Sequence, residues 1–300
     1  MKTLMIRAQA RNSFEIAMAS LALLYLLLFA GVPLVYNVVL SFQNVDLMSP
    51  AFLARPFAGL SNYLDVMARP ETRRVVANTL VFVGVSLVFQ VSGGFLLALL
   101  FMQRFPAASF MRGLFLAGWI MPGLVTGAIW KLVFAGDYGV LNHVLMSLGL
   151  IHAKVFWLSD PNLALYSVII ANIWVGVPFN MLLLSVGLNA IPAEIYEAAR
   201  IDGAGPVRQL FSMTLPMMRS TIGAVVSLGT ILTMQQFDLI AALTQGGPAN
   251  ASQVAQYWSW QLSFQTFEVA QGSAVATVML LLVLVVAIVY VRSIRHEMQA

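Results

Sequence analysis

Long, almost unbroken apolar runs alternate with short polar stretches along this chain. The runs fall at about 16–40, 75–102, 114–134, 163–188, 221–243 and 272–291. None shows the strict alternation of a half-buried strand or the one-sided stripe of a surface helix; polar residues are sparse on every face. A helix needs ~20 mostly apolar residues to cross a bilayer, and each run is long enough. The pattern predicts six transmembrane helices. The last is the cleanest, with no charged residue from Gly272 to Val291. Lys2, Arg7 and Arg11 precede the first, as in a secretory signal. That run is too long for a signal's apolar region and has no small-x-small cleavage site at its end, so it is read as a retained helix.

Composition agrees. Hydrophobic residues make up 60% of the chain and charged residues 9%, against roughly 25% charged in soluble domains. A surface so poor in charge belongs in lipid, and the fold class expected is an all-α, polytopic integral membrane protein. One membrane domain accounts for residues 1–300. There is no cysteine, which excludes disulfides, thiolate metal sites and cysteine nucleophiles. The net charge of +4 would suit nucleic-acid binding, but arginine and lysine in cytoplasmic loops produce the same excess.

Those cations set the expected orientation. With the N-terminus inside, the inner segments hold Lys2, Arg7, Arg11, Arg104, Arg112, Arg200, Arg208, Arg219, Arg292 and Arg295. The outer ones hold Arg55, Arg69, Arg73, Arg74 and Lys154, with Lys131 at the outer end of the third helix. The bias favours this orientation, although Arg73 and Arg74 oppose it. Both termini and the loop 190–218 are then cytoplasmic. Of the outer loops, one turns at Gly136-Asp137-Tyr138-Gly139 and another at Gly246-Gly247-Pro248. Trp157, Trp258 and Trp260 are expected at the membrane surface.

The cytoplasmic loop concentrates charge: Glu194, Glu197, Arg200, Asp202, Arg208 and Arg219. A short amphipathic helix is expected after Pro192, broken by Gly203 and Gly205-Pro206, then a second over 207–214, with Pro216 at the start of the fifth span. Gly203 permits the reversal. Ala198 and Ala199 keep one face flat for close approach, and Glu197 and Asp202 offer carboxylates to arginine. Such a knob fits a socket on a cytoplasmic partner; an ordinary solvated loop is the plainer alternative.

Glu197-Ala198-Ala199, Gly203 and Leu215-Pro216 at this spacing, between two membrane helices, resemble the EAA motif of ABC importer permeases. Met213 and Ser220 depart conservatively from the usual isoleucine and proline. Gly59-Leu60-Ser61-Asn62-Tyr63, Asn78-Thr79, Trp157-Leu158-Ser159-Asp160-Pro161 and Leu243-Thr244-Gln245-Gly246-Gly247-Pro248 extend the likeness to the carbohydrate-uptake branch, of maltose and glycerol-3-phosphate type. The resemblance implies a type I importer permease fold with six transmembrane helices in a bacterial inner membrane, with Glu197, Ala198, Ala199, Asp202, Gly203, Leu215 and Pro216 coupling to an ATPase. It implies a second, different permease, an ATPase dimer and a soluble solute-binding protein as partners. No cofactor is expected on this chain; ATP and magnesium would sit on the ATPase. The sequence agrees: a phosphate-binding loop needs Gly-Lys before Ser or Thr, and none of the three lysines, Lys2, Lys131 and Lys154, follows glycine. The chain is expected to be a transport subunit and not an enzyme.

Polar groups within spans are costly and become candidates for the solute path. These are Trp119 and Thr126 on the third helix, Asn172, Trp174 and Asn180 on the fourth, and Gln235, Gln236 and Asp238 on the fifth. Amides and flat rings suit a sugar, polyol, or phospho- or sulfo-sugar. An anionic sugar would also want a cation, and Lys131 is the lysine nearest a path. Gly176 and Pro178 are expected to interrupt the fourth helix. Asn180 and Gln90 have a plainer role as interhelical hydrogen bonds, and Lys131 as a snorkelling anchor. No histidine has metal-like spacing. The competing class is a secondary transporter driven by an ion gradient, which usually carries paired intramembrane acids or broken helices in repeated halves; neither is evident here.

Overall fold

A computed structural model describes residues 15–45, 55–103 and 105–299, with side chains as far as 292. The charges on Lys2, Arg7, Arg11, Arg104 and Arg295 lie outside what is described. The described residues are nearly all helical, with no strand beyond one isolated bridge between Gln43 and Phe57. In chain order the helices are α1 (Glu15–Ser41), α2 (Ser61–Ala68), α3 (Thr72–Met102), α4 (Ala108–Ile120), α5 (Gly123–Val133) and α6 (Val140–Ser147). Then come α7 (Ala164–Asn189), α8 (Ala193–Ile201), α9 (Pro206–Met217), α10 (Arg219–Met234), α11 (Asp238–Leu243), α12 (Ala255–Phe264) and α13 (Val269–Gln299). Four of these, α1, α3, α7 and α13, are long and apolar enough to cross a membrane alone. Two bent pairs bring the number of spans to as many as six, when each pair is counted as one span.

The bent pairs correct the sequence reading. The expected third span is two helices, α4 and α5, meeting at 101° at Met121-Pro122. Pro122 is in an extended conformation and caps α5; its ring clashes with a continuing helix. The expected fifth span is broken too. Residues 235–237 separate α10 from α11, and α9 meets α10 at 69° across Met218, so Pro216 lies before the bend and not at the start of the span. By contrast, Gly176 and Pro178 do not interrupt the fourth span: α7 runs through both. Pro178 leaves only the Trp174 carbonyl without its helical donor, which a single packed helix tolerates.

The chain divides into two compact units. One comprises residues up to Ala68 with Ser259–Thr277. There the end of α1 packs on the start of α13, joining Leu40, Val45 and Ala270. The Asn62 amide donates to the Ser41 and Gln43 carbonyls, both at 2.9 Å, and the Tyr63 hydroxyl meets Ser41 Oγ at 2.6 Å. Asn62 and Tyr63 thus tie α2 to the end of α1.

The other unit, Arg69–Trp258 with the C-terminal part of α13, is built around α3 against α7. Ser86, Gln90, Gly94 and Ala98 recur every fourth residue on α3 and are all buried. Small residues in that register let backbones approach closely, which substitutes in lipid for the missing hydrophobic drive between helices. At Gly94 the approach is closest: a Cβ there would lie 2.8 Å from the Met181 amide nitrogen. Below it, Ala98, Phe101, Met181, Leu184, Leu188, Met218 and Val225 form one buried cluster. The bend between α9 and α10 is therefore anchored in the α3–α7 core through Met218.

Candidate functional site

The loop 190–218 is a helical hairpin whose turn follows from its residues. Pro192 caps α8 in an extended conformation, Glu194 lies in the first turn and Arg200 in the last, each favourable to the helix dipole. The helix ends in a Schellman motif: the Ala204 N–H donates to the Ala199 carbonyl (2.8 Å) and the Gly203 N–H to the Arg200 carbonyl (3.1 Å). Gly203 has φ +77°, a conformation other residues adopt at a cost. The Gln209 side chain then donates to the Ala204 carbonyl (2.7 Å), and the Tyr196 hydroxyl meets Thr214 Oγ1 at 3.0 Å.

Glu197, Ala198, Asp202, Gly203 and Pro216 are exposed, and Leu215 is half-buried. Ala199 is not part of an outward flat face; it is buried by its own hairpin at 1% exposure, because the Schellman turn folds the chain back over it. Sequence reasoning passed over three apolar residues. Ile201, Val207 and Phe211 are 87%, 70% and 64% exposed on this loop, an arrangement water disfavours unless something covers it.

The intramembrane candidates separate into groups. Asn172 and Asn180 are buried on α7. The Asn172 carbonyl accepts from Gln90 Nε2 (2.9 Å), while its own amide nitrogen has no partner. Asn180 donates to the Gly176 carbonyl (2.8 Å), leaving Oδ1 unpartnered. Trp119, Thr126 and Trp174 come together at the α4–α5 bend. Trp119 stacks on Phe179 at 5.0 Å, and Trp174 meets Trp130 edge-on at 6.1 Å and lies over Gly118. Buried Thr126, its hydroxyl unpartnered, lines a cavity of about 170 Å³ with Ile129, Trp130, Val133 and Trp174. Gln235 and Gln236 occupy the break after α10, and exposed Asp238 begins α11 against Gly123.

Two of the tryptophans expected at the membrane surface are engaged within the protein. Trp157 donates Nε1 to Asn142 Oδ1 at 2.8 Å, and Trp258 is buried. Asn142 is the organiser of its loop: its amide also donates to the Gly136 and Val155 carbonyls, at 2.8 and 2.9 Å. Asn78 has a matching role, its amide shared among the carbonyls of Asn250, Ala251 and Gln253. Among the described residues no cluster of His, Asp or Glu could hold a metal.

A helical protein crossing the membrane several times, with broken spans and a charged helical hairpin between two of them, has the construction of a transport subunit. Residues 90–297 match the family of binding-protein-dependent transport system inner membrane components, and the chain belongs to it. It is 34% identical to the trehalose/maltose transport system permease protein MalF of Thermococcus litoralis, covering 79% of this chain and 80% of that one. It is 32% identical to the sulfoquinovosyl glycerol transport system permease protein SmoG of Agrobacterium fabrum, covering 94% and 89%. In fold it resembles a chain of a bacterial alginate ABC transporter solved with an alginate pentasaccharide-bound periplasmic protein: TM-score 0.79, 20% identity, 94% and 93% covered. The chain is thus a multi-pass inner-membrane permease subunit of an ABC importer, a transporter component and not an enzyme. Family membership weighs against gradient-driven transport.

Proposed function

We propose that this chain is one of two different permeases in an importer for a sugar or sugar derivative, driven by a separate ATPase dimer and supplied by a soluble binding protein. The whole chain acts as one permease domain, with both termini and the loop 190–218 cytoplasmic. ATP and magnesium bind the ATPase, and this chain performs no covalent chemistry.

One observation carries the reading. The loop 190–218 is closed into a hairpin by its turn and by the Gln209 and Tyr196 hydrogen bonds, exposes Glu197, Asp202, Ile201, Val207 and Phe211, and is joined through Met218 to the α3–α7 core. A preformed knob with charged and apolar contacts suits a socket, and its anchorage suits the transmission of movement. As the ATPase dimer closes, the hairpin moves with it and the two permeases open outward. They take up solute from the binding protein, then return inward on hydrolysis. Gln235, Gln236 and Asp238 at the break after α10, and Trp119, Thr126 and Trp174 at the α4–α5 bend, are the best placed residues for a transient solute site; Asn172 and Asn180 become available when α3 and α7 part. Relatives named for trehalose/maltose and sulfoquinovosyl glycerol uptake support the substrate class.

The test is a pull-down of tagged protein in mild detergent, wild type beside Glu197→Arg and Gly203→Trp. An ATPase and a second permease should accompany wild type, and both variants should lose the ATPase while eluting as monodisperse protein. Wild type eluting alone under all conditions tried would refute the importer assembly.

A further inference from the structure

A cavity of about 420 Å³ lies between α5, the turn after it, and the loops at 156–159 and 243–248. Its size is that of a small-molecule site. Lys131 supplies the cation, Tyr138 and Phe156 the exposed rings, and Ser159 and Thr244 the hydroxyls. No acidic residue lines it. Nearby acids are engaged elsewhere, Asp137 with Lys154 at 3.7 Å and Asp160 with the Asn162 N–H at 2.8 Å. Among the described residues Lys131 has no hydrogen-bond or ion-pair partner.

The walls are fixed in advance. On one side Asn142 holds the carbonyls of Gly136 and Val155, and a Cβ at Gly136 would sit 2.3 Å from the Phe156 ring. On the other, Ser252 Oγ meets Thr244 Oγ1 at 2.7 Å and the Gly247 carbonyl at 2.5 Å. A pocket that does not reorganise on binding loses less of its interaction energy to ordering.

We propose that this pocket is an extracytoplasmic recognition site for an anionic sugar, its carboxylate, phosphate or sulfonate on Lys131 and its ring on Phe156 and Tyr138. The proposal rests on the importer reading, which puts the outer end of α5 on the side the solute comes from. Lys131 is exposed, and a solvent-screened ion pair contributes about 1 kcal/mol, so its loss should weaken binding about fivefold.

The test is saturation-transfer NMR with glucuronate and glucose, on the full chain with its co-purifying subunits in phosphatidylcholine nanodiscs. Glucuronate should bind more tightly than glucose. Lys131→Gln should weaken glucuronate about fivefold and leave glucose unchanged, while Lys131→Arg retains the preference. Equal binding of the two sugars, no binding, or an unaffected Lys131→Gln variant overturns the proposal. So does loss of glucuronate binding in phosphatidylglycerol nanodiscs, which would assign the pocket to a lipid headgroup. If the ATPase still co-purifies in the same preparations, such a failure sinks this site and not the importer assembly.

Discussion

Gly94 on α3 lies against the backbone of Met181 on α7, with room between them for a hydrogen and not for a methyl group. The obstructing atoms are the Asn180 Cβ and the backbone of Asn180 and Met181, none of which a rotamer change can move. Gly94→Ala should therefore separate the two helices at a cost of about 1–3 kcal/mol. Gly84, on the same helix with nothing within 4 Å of where a methyl would sit, is the control: Gly84→Ala should be neutral or slightly stabilising. Thermal unfolding of the detergent-solubilised variants, followed by size-exclusion fluorescence, distinguishes them.

Gln90 offers a contrast in magnitude. Its amide bond to the Asn172 carbonyl joins α3 to α7, yet such bonds between membrane helices average only about 0.6 kcal/mol. Gln90→Leu, of similar volume, should shift the same unfolding curve much less than Gly94→Ala. An equal or larger shift would mean that polar contact, and not close packing, holds the pair.

Gly203 has open space around it, so substitution meets backbone strain alone. Gly203→Ala should cost about 1–2 kcal/mol for the left-handed conformation, and Gly203→Asn less, since asparagine tolerates that region. Retained ATPase in a pull-down should follow the order Gly, Asn, Ala. A reversed order would show that the turn geometry does not govern docking.

Asn142→Ala should be the most damaging of the outer-loop changes. It removes the partner of two carbonyls and of the Trp157 indole N–H, all part-buried, at about 1 kcal/mol for each hydrogen bond lost. Trp157 emission should shift to the red and the unfolding temperature fall, with Ser147→Ala, an exposed site bonded only to its own helix, as the unaffected comparison.

What hydropathy reads is an average over some twenty residues, and it located every long span within a few positions. An average does not register a break. Pro122 stops a helix whereas Pro178 does not, and the difference lies in what surrounds each: α7 is packed along its length against α3, while the α4–α5 junction turns sharply and seats Asp238 against Gly123. The hairpin at 190–218 was legible because its signals are local, a proline cap, a glycine reversal and dense charge. The burial of Ala199 was not, since it depends on where the chain goes five residues later. Asn142 and Asn78 were illegible as organisers for the same reason: their partners are carbonyls, which every residue possesses.

Met218 gives the hairpin's attachment a mechanical character. It is the residue across which α9 turns into α10, and it is wholly buried in a cluster with side chains of α3, α7 and α10. A branched aliphatic residue there would fit one angle of the joint. A thioether on three rotatable bonds can re-seat as the angle changes without opening a void. The joint is thus a ball in a greased cup: firm enough to carry thrust from the cytoplasmic side into the bundle, and compliant enough to do so over a range of tilts.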